Sequence, residues 1–247
     1  YKYYYSMLRL KEGSPLEMLR QFAVYLDGDL IEDYGAYKLY VDNSKGKGTI
    51  SLYEVFPGLT AWVYNITFTS KINFELQFSD DKPYYFGYHT SGYQLQKFPE
   101  QKDYRKIEQG QNFIIVSEPE LSSEFVIPAN TDYKSCYLII NPVLVYDSEL
   151  QIRQQFRSNL KEIFHSITEE KPYIYFGEID LKTGTYVDII VNNHRTDLVG
   201  RLLTEGAISN MLATQIDAHD LDNRTENFIP QLSKTELVKI SKIGDII

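Results

Sequence analysis

Tyr84-Tyr85-Phe86-Gly87-Tyr88-His89 is the stretch of this chain best equipped to hold a ligand. On a strand, successive side chains point to opposite faces. Tyr84, Phe86 and Tyr88 then share one face, and Tyr85, Gly87 and His89 the other. A tyrosine offers a flat apolar ring for stacking and a hydroxyl for hydrogen bonding. One of the two sets is expected to face a cavity; the alternative is ordinary barrel core. Trp62 and Tyr64 lie on an earlier alternating run, TAWVYNITF, and join the candidates. The candidate ligand-binding set is Trp62, Tyr64, Tyr84, Phe86, Tyr88 and His89.

Catalytic chemistry has less support. The four histidines, His89, His165, His194 and His219, include no pair at metal-ligand spacing. The last three read as surface residues of helical or connecting segments. There is no Gly-rich phosphate loop and no G-x-S-x-G turn. The lone Cys136 sits in the apolar run SCYLII and reads as a buried, inert thiol. Asp80-Asp81 and Glu118, Glu120 and Glu124 are numerous enough for acid–base work, but they stand at strand ends beside Gly, Pro and Ser, where carboxylates solvate turns. No catalytic residue, metal ligand or cofactor is expected.

The composition narrows the class further. The chain has 247 residues, a net charge of −9 and a pI near 5.0. It has no basic cluster, so phosphate backbones repel it. Apolar residues make up 43%, enough for a real core, and 21 Tyr with 13 Phe favour strands. One cysteine fits a reducing, cytoplasmic compartment. No stretch is long and apolar enough to span a membrane. The chain begins YKYYY, without Met or a signal peptide, which reads as trimmed at the front.

These residues need elements to position them. In SPLEMLRQFAVYLDG, Ser14 is an N-cap, Pro15 opens a helix and Glu17 completes a capping box. Leu16, Leu19, Phe22, Ala23 and Leu26 form its apolar face, and Gly28 is expected to stop it. The period then changes to two. Trp62, Tyr64, Ile66 and Phe68 alternate with Val63, Asn65 and Thr67; Ile72, Phe74, Leu76 and Phe78 alternate with Asn73, Glu75 and Gln77. Short strands follow in PYYFGYH, GYQLQKF, QNFIIVS, SSEFVIP and SCYLIIN, separated by turn signals such as Pro57-Gly58 and Asn141-Pro142. Strands at this spacing with no helix between them predict an antiparallel sandwich or barrel. Helical periodicity returns after Pro142. Ile152, Phe156, Leu160, Ile163 and Ile167 form one stripe. In DLVGRLLTEGAISNMLATQIDAHDL the apolar residues cover more than one face, and Gly206 is expected to kink the helix. A helix apolar on two sides is either packed internally or shared with a partner. DNRTEN reads as a polar linker, and FIPQLSKTELVKISKIGDII as a helix just begun.

Three stretches resemble AraC-type transcriptional regulators. GKGTISLYEVFPGLTAWVYNITFTSKINFELQF is similar to the opening of their sensor domain, with a G-x-G-T-I run and a P-G turn. KFPEQKDYRKIEQGQNFIIVSEPELSSEFVIPANTDYKSCYLII resembles its later strands through QN-x-I-I-x-S and F-x-x-P-A-N. LVGRLLTEGAISNMLATQI is similar to the helical part. The resemblance implies a cupin-like barrel, then dimerising helices, then a DNA-binding domain of two helix-turn-helix units, of which FIPQLSKTELVKISKIGDII looks like the linker and first helix.

The expected fold is therefore mainly β with α (α+β): a cupin-like antiparallel β-barrel or sandwich followed by a helical dimerisation segment. Residues 1–145 form the effector-binding domain, 146–227 the dimerisation region, and 228–247 the start of a truncated DNA-binding domain. The expected function is that of a non-enzymatic, cytoplasmic homodimer. It binds a small-molecule effector, a carbohydrate at the family level, and reaches DNA only through the C-terminal domain. The expected dimer surface is Leu202, Leu203, Ile208, Met211 and Leu212, so that Met211→Asp with Leu212→Asp gives a folded monomer. The alternative is a stand-alone cupin-type enzyme or sugar-binding protein.

Overall fold

The computed structural model describes residues 7–11, 13–33, 35–77, 83–116, 122–146 and 173–225. The predicted stripe from Ile152 to Ile167 and the C-terminal stub from Phe228 lie outside these residues, as do Phe78 and His165.

Helix α1 (Pro15–Leu26) begins as its sequence dictates. Ser14 is extended (φ −65°, ψ 147°), and its Oγ accepts from the Glu17 N–H at 3.3 Å. The helix stops one residue before the predicted glycine. Asp27 takes the left-handed conformation (φ +52°), which a short polar side chain tolerates. The Gly28 N–H then donates to the Ala23 carbonyl at 3.1 Å. Met18, Leu19, Phe22 and Leu26 are buried, each contributing about 1.5–3 kcal/mol by leaving water.

The strands form two sheets. The larger contains, in spatial order, β13 (Tyr173–Ile179), β10 (Gln111–Val116), β7 (Tyr84–Ser91), β12 (Asp132–Ile140), β5 (Leu59–Phe68), β4 (Gly46–Phe56), β3 (Ala36–Asn43) and β2 (Asp29–Asp33). The smaller runs β1 (Leu8–Lys11), β6 (Ile72–Gln77), β11 (Ser122–Ile127), β8 (Gln94–Lys97) and β9 (Arg105–Ile107). All pairings are antiparallel except β1 with β6. This is the expected mainly-β sandwich followed by helices. The G-x-G-T-I run explains itself here. Gly48 has φ +141°, and a Cβ on it would sit 2.3 Å from the Asn65 carbonyl oxygen of the neighbouring strand.

Strand β13 comes from the stretch expected to be helical, yet it closes the end of the large sheet, in register with β10 from Phe113↔Phe176 to Val116↔Tyr173. β13 thus lies beyond the expected boundary at residue 145 and pairs with a strand before it. The remaining helices are α2 (Pro142–Tyr146, between β12 and β13) and, after β13, α3 (Leu181–Asn192) and α4 (Leu198–Thr225). α4 passes through Gly206 uninterrupted and takes in Asp222 to Thr225, which the sequence presents as the start of a linker.

Two apolar layers result. The first lies between the sheets and under α1, with Phe22, Trp62, Tyr64, Phe74, Phe125 and Tyr133 among its members. The second lies between the other face of the large sheet and α3 with α4. Ala61, Val63, Phe86, Cys136 and Leu138 there meet Val187, Ile190, Ile208 and Met211. Polar bolts fix the helices. Gln215 Nε2 donates to the Gly87 carbonyl at 2.9 Å, and Asn65 Nδ2 to the Val191 carbonyl at 3.3 Å. Asp180 caps α3 and also accepts from Asn112 Nδ2 at 2.9 Å. Burial pushes the Asp180 carboxyl up, and hydrogen bonds from Thr183, Asn112 and the helix N–H groups bring it below its ordinary value.

Met211 is 0% and Leu212 4% exposed. Replacing each with Asp removes core contacts and buries an unpaired charge. The two changes together exceed about 5 kcal/mol, comparable to a whole domain's stability. The double variant is expected to lose its cooperative thermal transition; a folded monomer with a near-native melt would contradict the packing described.

Candidate functional site

A cavity of about 60 Å³ lies within the sandwich, beneath α1. Met18 and Phe22 of α1 line it, with Trp62 and Tyr64 of β5, Phe74 and Leu76 of β6, Tyr85 of β7, Phe125 of β11, and Tyr137 and Ile139 of β12. Leu10 and Gln94 complete the wall. It is smaller than the roughly 150 Å³ that holds a benzene-sized molecule. A larger guest has to displace side chains, and Met18 and Phe22 belong to a single helix rather than to a sheet.

The structure places the predicted ligand-contacting residues unequally. Trp62 and Tyr64 stand on the cavity wall. Tyr84, Phe86 and Tyr88 do not: they point to the opposite face of the large sheet, into the layer covered by α3 and α4. Phe86 is fully buried there, and Tyr88 Oη donates to the Asp180 carbonyl at 2.8 Å. Of β7, Tyr85 reaches the cavity, and Gly87 and His89 share its face. The missing side chain at Gly87 is required, because a Cβ there would lie 1.9 Å from the Phe113 ring. That ring fills the space and stacks on His89, with centroids 5.3 Å apart.

One end of the cavity is polar. Gln94 Oε1 accepts from Tyr133 Oη at 2.8 Å and also from Tyr137 Oη. His89 lies behind these rings, 5.4 Å from Tyr133 and 5.9 Å from Tyr137 by centroid. It is 0% exposed, and neither ring nitrogen has a hydrogen-bond partner among the described residues. Burial drives its pKa down to about 3, so the imidazole is neutral. Burial likewise pushes the Tyr64, Tyr133 and Tyr137 hydroxyls up. Trp62 Nε1 is a buried donor beside the Tyr64 hydroxyl, without a well-formed hydrogen bond. Gln94, Tyr85, Tyr137 and Phe113 are absent from the sequence-derived set. Gln94 carried a signal: GYQLQKF is a strand whose two glutamines share one face. That face is buried, with Gln94 at 2% and Gln96 at 0% exposure.

The five residues expected at a dimer surface also divide. Ile208, Met211 and Leu212 pack against the large sheet of their own chain, so they are not free to meet a partner. Leu202 (58% exposed) and Leu203 (51%) remain outside, next to Leu198 and Val199, which are also exposed. His219 is buried edge-on against Tyr175 at 4.9 Å rather than on the surface; His194 is exposed as expected. Cys136 is buried on the helix-facing side, and burial raises its pKa. Among the described residues, no group of three or more His, Cys, Asp or Glu side chains could hold a metal ion, and no helix is long and apolar enough to cross a membrane.

His89 supplies a pH test. Its folded pKa lies below the ordinary 6.5, so the unfolded chain binds the extra proton. The stability held by the neutral ring is complete above about pH 6.5 and falls as pH drops toward 3, by about 1.4 kcal/mol per pH unit. Phe113, Tyr133 and Tyr137 pack on the ring, and none of them offers a carboxylate. Chemical denaturation at pH 7 and pH 5 is expected to show His89→Phe losing roughly 2 kcal/mol less than the native chain. Equal losses would show that His89 is not held neutral.

No protein-family model matches the chain, and no curated protein sequence matches it. Solved structures do share its path in part. The AraC-like transcriptional activator CuxR is 10% identical with a TM-score of 0.42, the match covering 89% of this chain and 69% of that one. ToxT from Vibrio cholerae is 11% identical with a TM-score of 0.39, covering 76% of this chain and 66% of its own. KdgF from Halomonas sp. is 13% identical with a TM-score of 0.29, covering 47% and 87%. The structures similar to this chain thus include AraC-like regulators, at a level that carries no function across.

Proposed function

We propose that this chain is the effector-sensing and dimerising part of an AraC-type transcription regulator, cytoplasmic and without catalytic activity. The observation that supports the reading is an arrangement. A cavity and a packed helical layer lie on opposite faces of the same strands. On β12, Tyr137 and Ile139 face the cavity, while Cys136 and Leu138 face the helices. On β7, Tyr85 and Phe86 divide in the same way. A guest that fits one arrangement of α1 and the sheet better than another shifts the position of α3 and α4 by its differential affinity. A cupin-like barrel that senses a small molecule and passes the result to a C-terminal DNA-binding domain has this requirement. The three sequence stretches that resemble the family take in β5, β6, β11 and β12 of the cavity wall and the greater part of α4.

In this reading the dimer contact moves to the first two turns of α4, where Leu198, Val199, Leu202 and Leu203 are exposed. Beyond them the exposed positions turn polar at Ser209 and Asn210, and the next large exposed apolar residue on the helix is Leu221. Sedimentation velocity is expected to show a dimer for the native chain, and a monomer with an unchanged melting temperature for Leu202→Glu with Leu203→Glu. A native monomer, or a variant that stays dimeric, would overturn this assignment. Stoichiometric Fe, Mn, Ni or Zn in the purified protein would instead favour a cupin-type enzyme.

A further inference from the structure

We infer that the cavity accepts a neutral, largely apolar molecule bearing a single hydrogen-bond acceptor, a carbonyl or hydroxyl oxygen that meets the N–H donor of Trp62 or of Gln94. This rests on the sensing role proposed above and names the chemical class of the effector. Three observations carry it.

The first is charge. None of the described lining residues carries one, and His89, the nearest imidazole, lies behind Tyr137. A carboxylate, phosphate or ammonium entering here would lose its hydration shell with no counter-charge, at a cost of several kcal/mol. The second is the ratio of apolar to polar wall. Leucine, methionine, isoleucine and phenylalanine side chains supply most of it. A sugar carries a hydroxyl on nearly every carbon, and each one buried without a partner is unfavourable. The third is the sense of the uncommitted groups. Trp62 Nε1 can only donate, and it is buried beside the Tyr64 hydroxyl without a well-formed hydrogen bond. Both side-chain hydrogen bonds of Gln94 end on Oε1, and its Nε2 carries two N–H donors. Both of these groups on the cavity wall are donors, so the complementary atom on the guest is an acceptor. The carbohydrate expected at the family level does not match this wall.

The protein contains one tryptophan, and that residue is on the cavity wall, so its fluorescence reports occupancy directly. The chain is titrated at pH 7.5 with 2-octanone, 1-octanol, octanoate and a hexose. Saturable changes are expected with 2-octanone and 1-octanol, and at least tenfold weaker binding of octanoate and hexose. Changing Gln94→Met is expected to weaken 2-octanone about tenfold; should that variant not fold, the four-compound series on the native chain decides alone. Octanoate binding as tightly as 1-octanol, or a hexose binding best, would overturn the neutral apolar class and leave the sensing cavity in place. No change with any of the four would overturn the sensing role as well.

Discussion

The centre of the large sheet is buried on both faces, and the rest of the structure follows from that constraint. An antiparallel sheet commonly leaves one face to water and shows apolar residues at every second position. Here β5 and β7 are buried at nearly every position. One set of side chains builds the space under α1. The other set, Ala61, Val63, Phe86, Cys136 and Leu138, has to be covered by something else. That need calls for α3 and α4, and it explains why α4 directs Ile208, Met211 and Leu212 inward.

In the proposed sensing role, two-sided burial would make the sheet a mechanical link. A side chain displaced toward the cavity moves a backbone whose next residue is wedged against a helix. The contacts across the second layer are specific as well as apolar: Gln215 holds the Gly87 carbonyl, and Asn112 holds the cap of α3. Packed interiors of this density respond by switching between arrangements rather than by deforming smoothly. A 60 Å³ cavity bordered by a single helix on one side is a place where such a switch can be driven.

Much of this architecture was legible in the sequence. The cap of α1 and the period-2 runs of β5 and β6 follow from local chemistry alone, and they correctly direct Trp62, Tyr64, Phe74 and Leu76 inward. Other features depend on what packs against them. Tyr84, Phe86 and Tyr88 look no different from Tyr85 as ligand contacts, because aromatic residues occupy both faces of β7. Only the position of Gly87, vacated for Phe113, fixes which face is interior. YIYFGEI in β13 has strand composition, but it lies between stretches with helical periodicity and pairs with a strand far away in sequence. The two apolar sides of α4 were visible; that one side belongs to its own sheet was not, because the outer face of that sheet appears only once the strands are assembled.

The central claim is that the cavity and the helical layer are read through the same strands. The chain's three methionines are placed to test it. Met18 lines the cavity, Met211 lies in the layer across the sheet, and Met7 is on the surface. With ¹³C-methyl methionine, a titration with 2-octanone should shift Met18 and Met211 with one common midpoint and leave Met7 in place. A Met18 signal that moves while Met211 stays fixed, or a Met18 signal that does not move at all, would contradict the account.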